Sequence, residues 1–179
     1  MKPHIITLAF ITSLTAFAPL RAEPAAPPVA TEMKELDRWV GTWKVVSFVS
    51  KQAEWCPKET STSGAVAVTK PILGGHCIED RTTHSPDGVE HLGIWNWSPE
   101  DKAFHYHYFD TAGSRHLFTF RWDAASQSFA CTAPMPNGVT WKGTTRFPDA
   151  NTKEWHSVAT DASGKVYLDI KSKEVRVEK

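Results

Sequence analysis

Clustered charge is missing from this sequence. Its 20 Lys and Arg balance 20 Asp and Glu, and no run of like charge stands out. That excludes the basic patches by which nucleic acid and anionic membrane surfaces are gripped, so neither is an expected partner. Cysteine is scarce as well, with only Cys56, Cys77 and Cys131. Three is an odd number, so at least one thiol has no partner within the chain. Their wide spacing excludes a zinc ribbon. There is no Cys-x-x-Cys-His for haem attachment, and Ser126, Ser128 and Ser157 lack the Gly-x-Ser-x-Gly setting of an activated serine. Glu79 and Asp80 are adjacent, so on a strand their carboxylates point to opposite faces and cannot work as an acid/base pair. Asp80 shares a side with His76 and is the carboxylate to inspect.

Long apolar runs are absent except at the start. Ile5 to Leu20 carries no charge, follows a short basic start containing Lys2, and ends at Leu20-Arg21-Ala22. This is the pattern of a secretory signal peptide over residues 1–22, with cleavage before Glu23. The run is shorter than the roughly 20 residues of a spanning helix, so no membrane anchor is expected after cleavage. The expected location is periplasmic or secreted. Residues 23–31 are rich in Pro and Ala and read as a flexible spacer, leaving 32–179 as one domain.

Within that domain the helical period is confined to Thr31–Trp39, where Thr31 is the expected N-cap of one short helix. Beyond Gly41 come short runs rich in β-branched and aromatic residues, about ten in number. They are separated by turn sequences such as Pro86-Asp87-Gly88, Asp110-Thr111-Ala112-Gly113, Pro136-Asn137-Gly138 and Asp161-Ala162-Ser163-Gly164. The second run is read as one strand over 61–69. Hairpin-linked strands without helical crossovers predict an all-β, up-and-down antiparallel barrel, whose closure removes exposed edges, with a two-sheet sandwich as the alternative. A barrel of eight or more strands has room inside for one small ligand. Alternating strand direction puts Cys56 past the top of the first strand and Cys77 near the bottom of the third. A disulfide, limited to Cα atoms within about 7 Å, does not span that distance.

Reading Thr111-Ala112 as a two-residue turn pairs His107 with His116 and His105 with Phe118. One face then carries His105, His107, Phe109, His116, Phe118, Phe120 and Trp122, and the other carries Arg115 and Arg121. Solvating the arginines is cheaper than burying them, so the first face is expected inside. Trp95, Trp97 and Trp141 join it by the same alternation. These side chains form an aromatic lumen suited to a small apolar or aromatic ligand. His105, His107 and His116 also offer three imidazoles of a kind that hold zinc, and His76 is the one candidate for an axial haem ligand. The main expectation is ligand contact without a cofactor. The alternatives are a metal- or haem-dependent enzyme, and a structural module whose lumen is filled by its own side chains.

Gly41-Thr42-Trp43 opens the first strand as the Gly-x-Trp motif opens lipocalins and other calycins. Trp39–Trp43, Ile72-Leu73-Gly74-Gly75, Gly93-Ile94-Trp95-Asn96-Trp97, Phe109-Asp110-Thr111-Ala112-Gly113 and Gly143 follow in order. The series resembles a bacterial family of unknown function with a lipocalin-like barrel. Ser98 replaces the Asp usual after the aromatic at Trp97. The resemblance implies the fold and no reaction. It further implies that Trp43 closes the barrel floor beneath a basic side chain of the last strand, Arg176 or Lys173.

Overall fold

The structure is a computed structural model that describes residues 27–51 and 58–178. The signal-peptide reading, residues 23–26 of the spacer and Cys56 lie outside the described residues. Among the described residues eleven strands follow one short helix: β1 Gly41–Lys51, β2 Thr60–Thr62, β3 Val66–Ile72, β4 Cys77–His84, β5 His91–Ser98, β6 Ala103–Asp110, β7 Arg115–Asp123, β8 Ser128–Pro134, β9 Thr140–Asp149, β10 Thr152–Thr160 and β11 Val166–Glu178. All neighbouring pairs are antiparallel, and β11 returns to pair with β1. The result is a closed ten-strand barrel, with β2 an extra strand laid along the far half of β1.

The run expected over 61–69 as one strand is in fact two. Gly64 sits at φ +93°, and the backbone pairs Gly64 N–H with the Val45 carbonyl and Val45 N–H with that of Ala65. Glycine accepts that left-handed geometry without the Cβ penalty, so the chain bends between β2 and β3. The bend faces the register shift of β1 between Val45 and Ser47.

The helix is a 3-10 helix over Thr31–Arg38, and its N-cap position is Ala30 with no capping side chain. Thr31 therefore opens the helix instead of capping it, its hydroxyl turned to Glu32. The helix closes one end of the barrel. Met33 and Leu36 are buried there, and Trp39 packs on Trp95, Phe120, Phe129 and Phe147. Large aromatic faces meeting edge-on supply most of the apolar burial at this end.

Trp43 is wholly buried beside this plug, and its indole N–H donates to the Trp39 carbonyl at 2.6 Å. The Arg176 guanidinium carbon lies 4.3 Å from the Trp43 ring centre, within cation–π range. Arg176 also donates to the backbone carbonyls of Arg38, Val40 and Ala150. One side chain from β11 thus ties the plug to the floor. Lys173 instead points outward to Glu154.

Candidate functional site

Burial changes along the inner face. At the helix end Trp95, Phe104 and Phe129 are at most 2% exposed. At the opposite, open end the inward aromatics His91, Tyr108, His116 and Trp141 are only partly buried. Three of them form a row across β5, β6 and β7. The His91 and Tyr108 rings stack at 5.7 Å, and Tyr108 and His116 at 6.3 Å, each pair 23° from parallel. Trp141 on β9 meets Phe118 edge-on at 5.5 Å. Ala133 and Ala159 flank Trp141 in register, so small neighbours leave its indole room.

Beneath this row lies Asp80. Its Oδ1 accepts from the Thr69 hydroxyl at 2.9 Å, and its Oδ2 accepts from the Tyr106 hydroxyl at 3.1 Å and faces His91 Nε2 at 3.3 Å. His91 Nδ1 meets the Thr82 hydroxyl at 2.6 Å, and the His91 backbone N–H donates to that same oxygen. Burial pushes the Asp80 carboxyl up. Hydrogen bonding and charge from His91, the charge of Lys153 and the Thr69 hydroxyl outweigh it, so the net shift is below the ordinary carboxylate value. Burial and then the Asp80 charge hold the Tyr106 phenol well above its ordinary value. Asp80 is thus ionised and Tyr106 neutral at neutral pH, which makes the phenol a donor.

Closer to the plug, Lys153 Nζ sits 2.7 Å from Glu174 and about 5 Å from the Trp39 and Trp43 rings. Trp155 donates its indole N–H to the other Glu174 oxygen. A buried pair needs such extra hydrogen bonds to offset desolvation.

The inner face differs from the sequence expectation on one strand. Trp95, Trp97, His116, Phe118, Phe120, Trp122 and Trp141 point inward. Trp97 packs on Phe104, and Trp122 lies under Arg38 at the helix end. On β6, however, Phe104, Tyr106 and Tyr108 are the inner residues, and His105, His107 and Phe109 are outside. His105 pairs with Asp101 at 2.9 Å, His107 stands between Ile94 and Leu117, and Phe109 is 47% exposed.

The cause is the β6–β7 turn. Asp110 N–H bonds the Ser114 carbonyl, Gly113 N–H bonds the Asp110 carbonyl, and Gly113 has φ +86°. This is a three-residue loop with a glycine bulge, not the two-residue turn. It moves the register by one, pairing Tyr108 with His116 and Tyr106 with Phe118, and a one-residue slip turns a strand over. His116 is therefore separated from His105 and His107 by the barrel wall, and the three do not converge on a metal. Among the described residues no group of three His, Cys, Asp or Glu side chains could hold one. His76 lies in the β3–β4 turn at the helix end.

Sequence reasoning missed Tyr106, Tyr108 and His91. Asp-x-x-Gly, with the Asp110 carboxylate accepting from Ser114 N–H at 2.8 Å, was the available signal. Open grooves of about 580 and 470 Å³ flank the helix, the first including Asp37, Pro71 and Phe147 and the second Glu35, Lys102 and the inner-face residues Trp97, Phe104 and Trp122.

The architecture defines the class: a closed, up-and-down antiparallel barrel of the lipocalin-like kind. No family model matches the chain, and no curated protein is similar in sequence. Among solved structures, the S-type phycobiliprotein lyase of Guillardia theta aligns with TM-score 0.52 and 11% identity, covering 82% of this chain and 92% of that one. A protein of unknown function from the DUF3598 family of Nostoc punctiforme aligns with TM-score 0.49 and 8% identity over 79% of this chain. The chain spans 48% of the length of that second protein. At these identities the likeness is one of fold.

Proposed function

We propose that this protein is an exported barrel that binds a small apolar or aromatic molecule in the open half of its lumen. The observation that supports this is the burial gradient. At the helix end Trp39, Trp95, Phe104 and Phe129 are buried, with Trp97, Trp122 and Phe147 half-buried beside the helix, whereas at the mouth His91, Tyr108, His116 and Trp141 all keep contact with solvent. A concave wall of aromatics with a few placed polar groups is the usual anatomy of a small-molecule site. Residues 1–22 supply the export signal, so the working compartment is the periplasm or the medium.

The packing of Trp39, Trp95, Phe120 and Phe129 against one another favours a second reading, a lumen filled entirely by its own side chains. Titration with Nile red separates the two. Under the binding reading the dye gains fluorescence with a saturable stoichiometry, and Trp141→Ala weakens it while leaving the fold intact by circular dichroism. No saturable binding would favour the filled module. Export is tested separately, by whether protein recovered outside the cytoplasm begins at Glu23.

A further inference from the structure

The ligand class can be narrowed by charge, and this step rests on the binding reading above. Asp80 lies on the inner face, yet its side chain keeps 13% of its surface open, so a molecule seated in the recess proposed above would have a carboxylate within reach. Burying a carboxylate costs several kcal/mol unless it is compensated, and its direct partners are two hydroxyls and an imidazole.

The fixed cations of the inner face, among the described residues, stand at the other end. Lys153 is engaged by Glu174 at 2.7 Å, and Arg176 is held by floor carbonyls. Arg115 and Arg121 are on the outer surface. Beside the aromatic row at the mouth stands a second carboxylate. Asp110 accepts from the Tyr108 hydroxyl at 3.2 Å. After burial, the charges of Asp110, Asp80 and Asp87 are what raise the Tyr108 phenol. Aromatic faces beside carboxylates are the combination that holds an organic cation, through ring quadrupole and counter-charge together.

We infer that the recess selects a small aromatic or apolar molecule bearing a positive charge, an amine, with Asp80 as its counter-ion and Tyr108 and Trp141 as its aromatic walls. An anionic molecule of the same shape is repelled by the ionised carboxylate, and a neutral one forgoes the charge attraction that an amine gains there.

The test compares tryptamine, indole and indole-3-acetate at pH 7 by calorimetry on the full mature chain, with Nile red as a neutral control. Tryptamine should bind at least about tenfold more tightly than the other two, and Asp80→Asn should reduce that preference to about twofold or less. If Asp80→Asn does not fold, Asp110→Asn serves in its place. Asn keeps the Oδ1 acceptor for Ser114, and the tryptamine preference should still fall. Equal binding of indole, tighter binding of indole-3-acetate, or a preference that persists in the variant overturns the charge inference. So does binding of Nile red with none of the three indoles. Failure of Nile red and of all three together overturns the lumen reading itself.

Discussion

Gly93 on β5 is the space that Tyr106 on β6 occupies: a Cβ on Gly93 would stand 2.0 Å from Tyr106 Cε2 and 2.2 Å from its hydroxyl oxygen. The phenol crosses this gap to reach Asp80, which pairs with Gly93 on the next strand. Gly93→Ala should cost about 1–3 kcal/mol, the usual penalty for overfilling a packed core. Urea unfolding reads it directly. In a Tyr106→Leu background the same change should cost less than half as much, since the clash lies with the ring; an equal cost would point to backbone strain instead.

Asp80 sets an acid limit on stability. Its folded carboxyl titrates below the ordinary value, so its contribution is complete above the unfolded carboxylate pKa of about 3.9 and is lost as pH falls through the lower folded value. The urea midpoints of wild type and Asp80→Asn should differ by a constant amount from about pH 7 to pH 5 and converge below about pH 4. A gap that held steady to pH 3 would contradict this linkage.

Arg176 and Lys173 both belong to the last strand, but only Arg176 is fixed at the floor. Arg176→Gln should lower stability by about 1–2 kcal/mol through the lost Trp43 face and carbonyl contacts. Lys173→Gln breaks an exposed pair with Glu154 and should change stability by about 0.5 kcal/mol or less. Thermal melts of the two variants check the contrast.

The outer histidines should be silent in binding. His105→Ala and His107→Ala are expected to leave Nile red affinity within about twofold of wild type, because neither side chain faces the lumen. His116→Ala, which removes one ring of the stacked row, should weaken it several-fold.

Cys131 is predicted to be inert in the folded state. It lies against Ser157 and Trp141, and burial is the main cause that pushes its thiol up to about 11, so little thiolate forms at neutral pH. Iodoacetamide labelling followed by peptide mass mapping should modify Cys131 only when urea unfolds the barrel.

Much of the barrel was legible because its code is local. Turn residues and β-branched or aromatic runs marked nearly every strand, and the arginines of β7 identified which side faced water. The inner face of β6 was not legible by the same rule. Its two sides, His105-His107-Phe109 and Phe104-Tyr106-Tyr108, are alike in polarity and size, so alternation alone could not choose between them. A single residue in the turn decided it, through Gly113. His91 was hidden for a different reason: its significance comes from Asp80 and Thr82 on a neighbouring strand, a relationship that no spacing along the chain reveals. The split of the second strand at Gly64 likewise answered to an irregularity in β1.

The seam between β1 and β11 also has a consequence for synthesis. Trp43 finds Ala67 across β3 early, but its other neighbour, Arg176, is made only after the ten strands before it. Until then β1 and β10 are both unsatisfied edges, ready to pair with any extended chain nearby. A chain stopped before Val166 would keep those edges for good, so premature termination should yield aggregates and no smaller barrel.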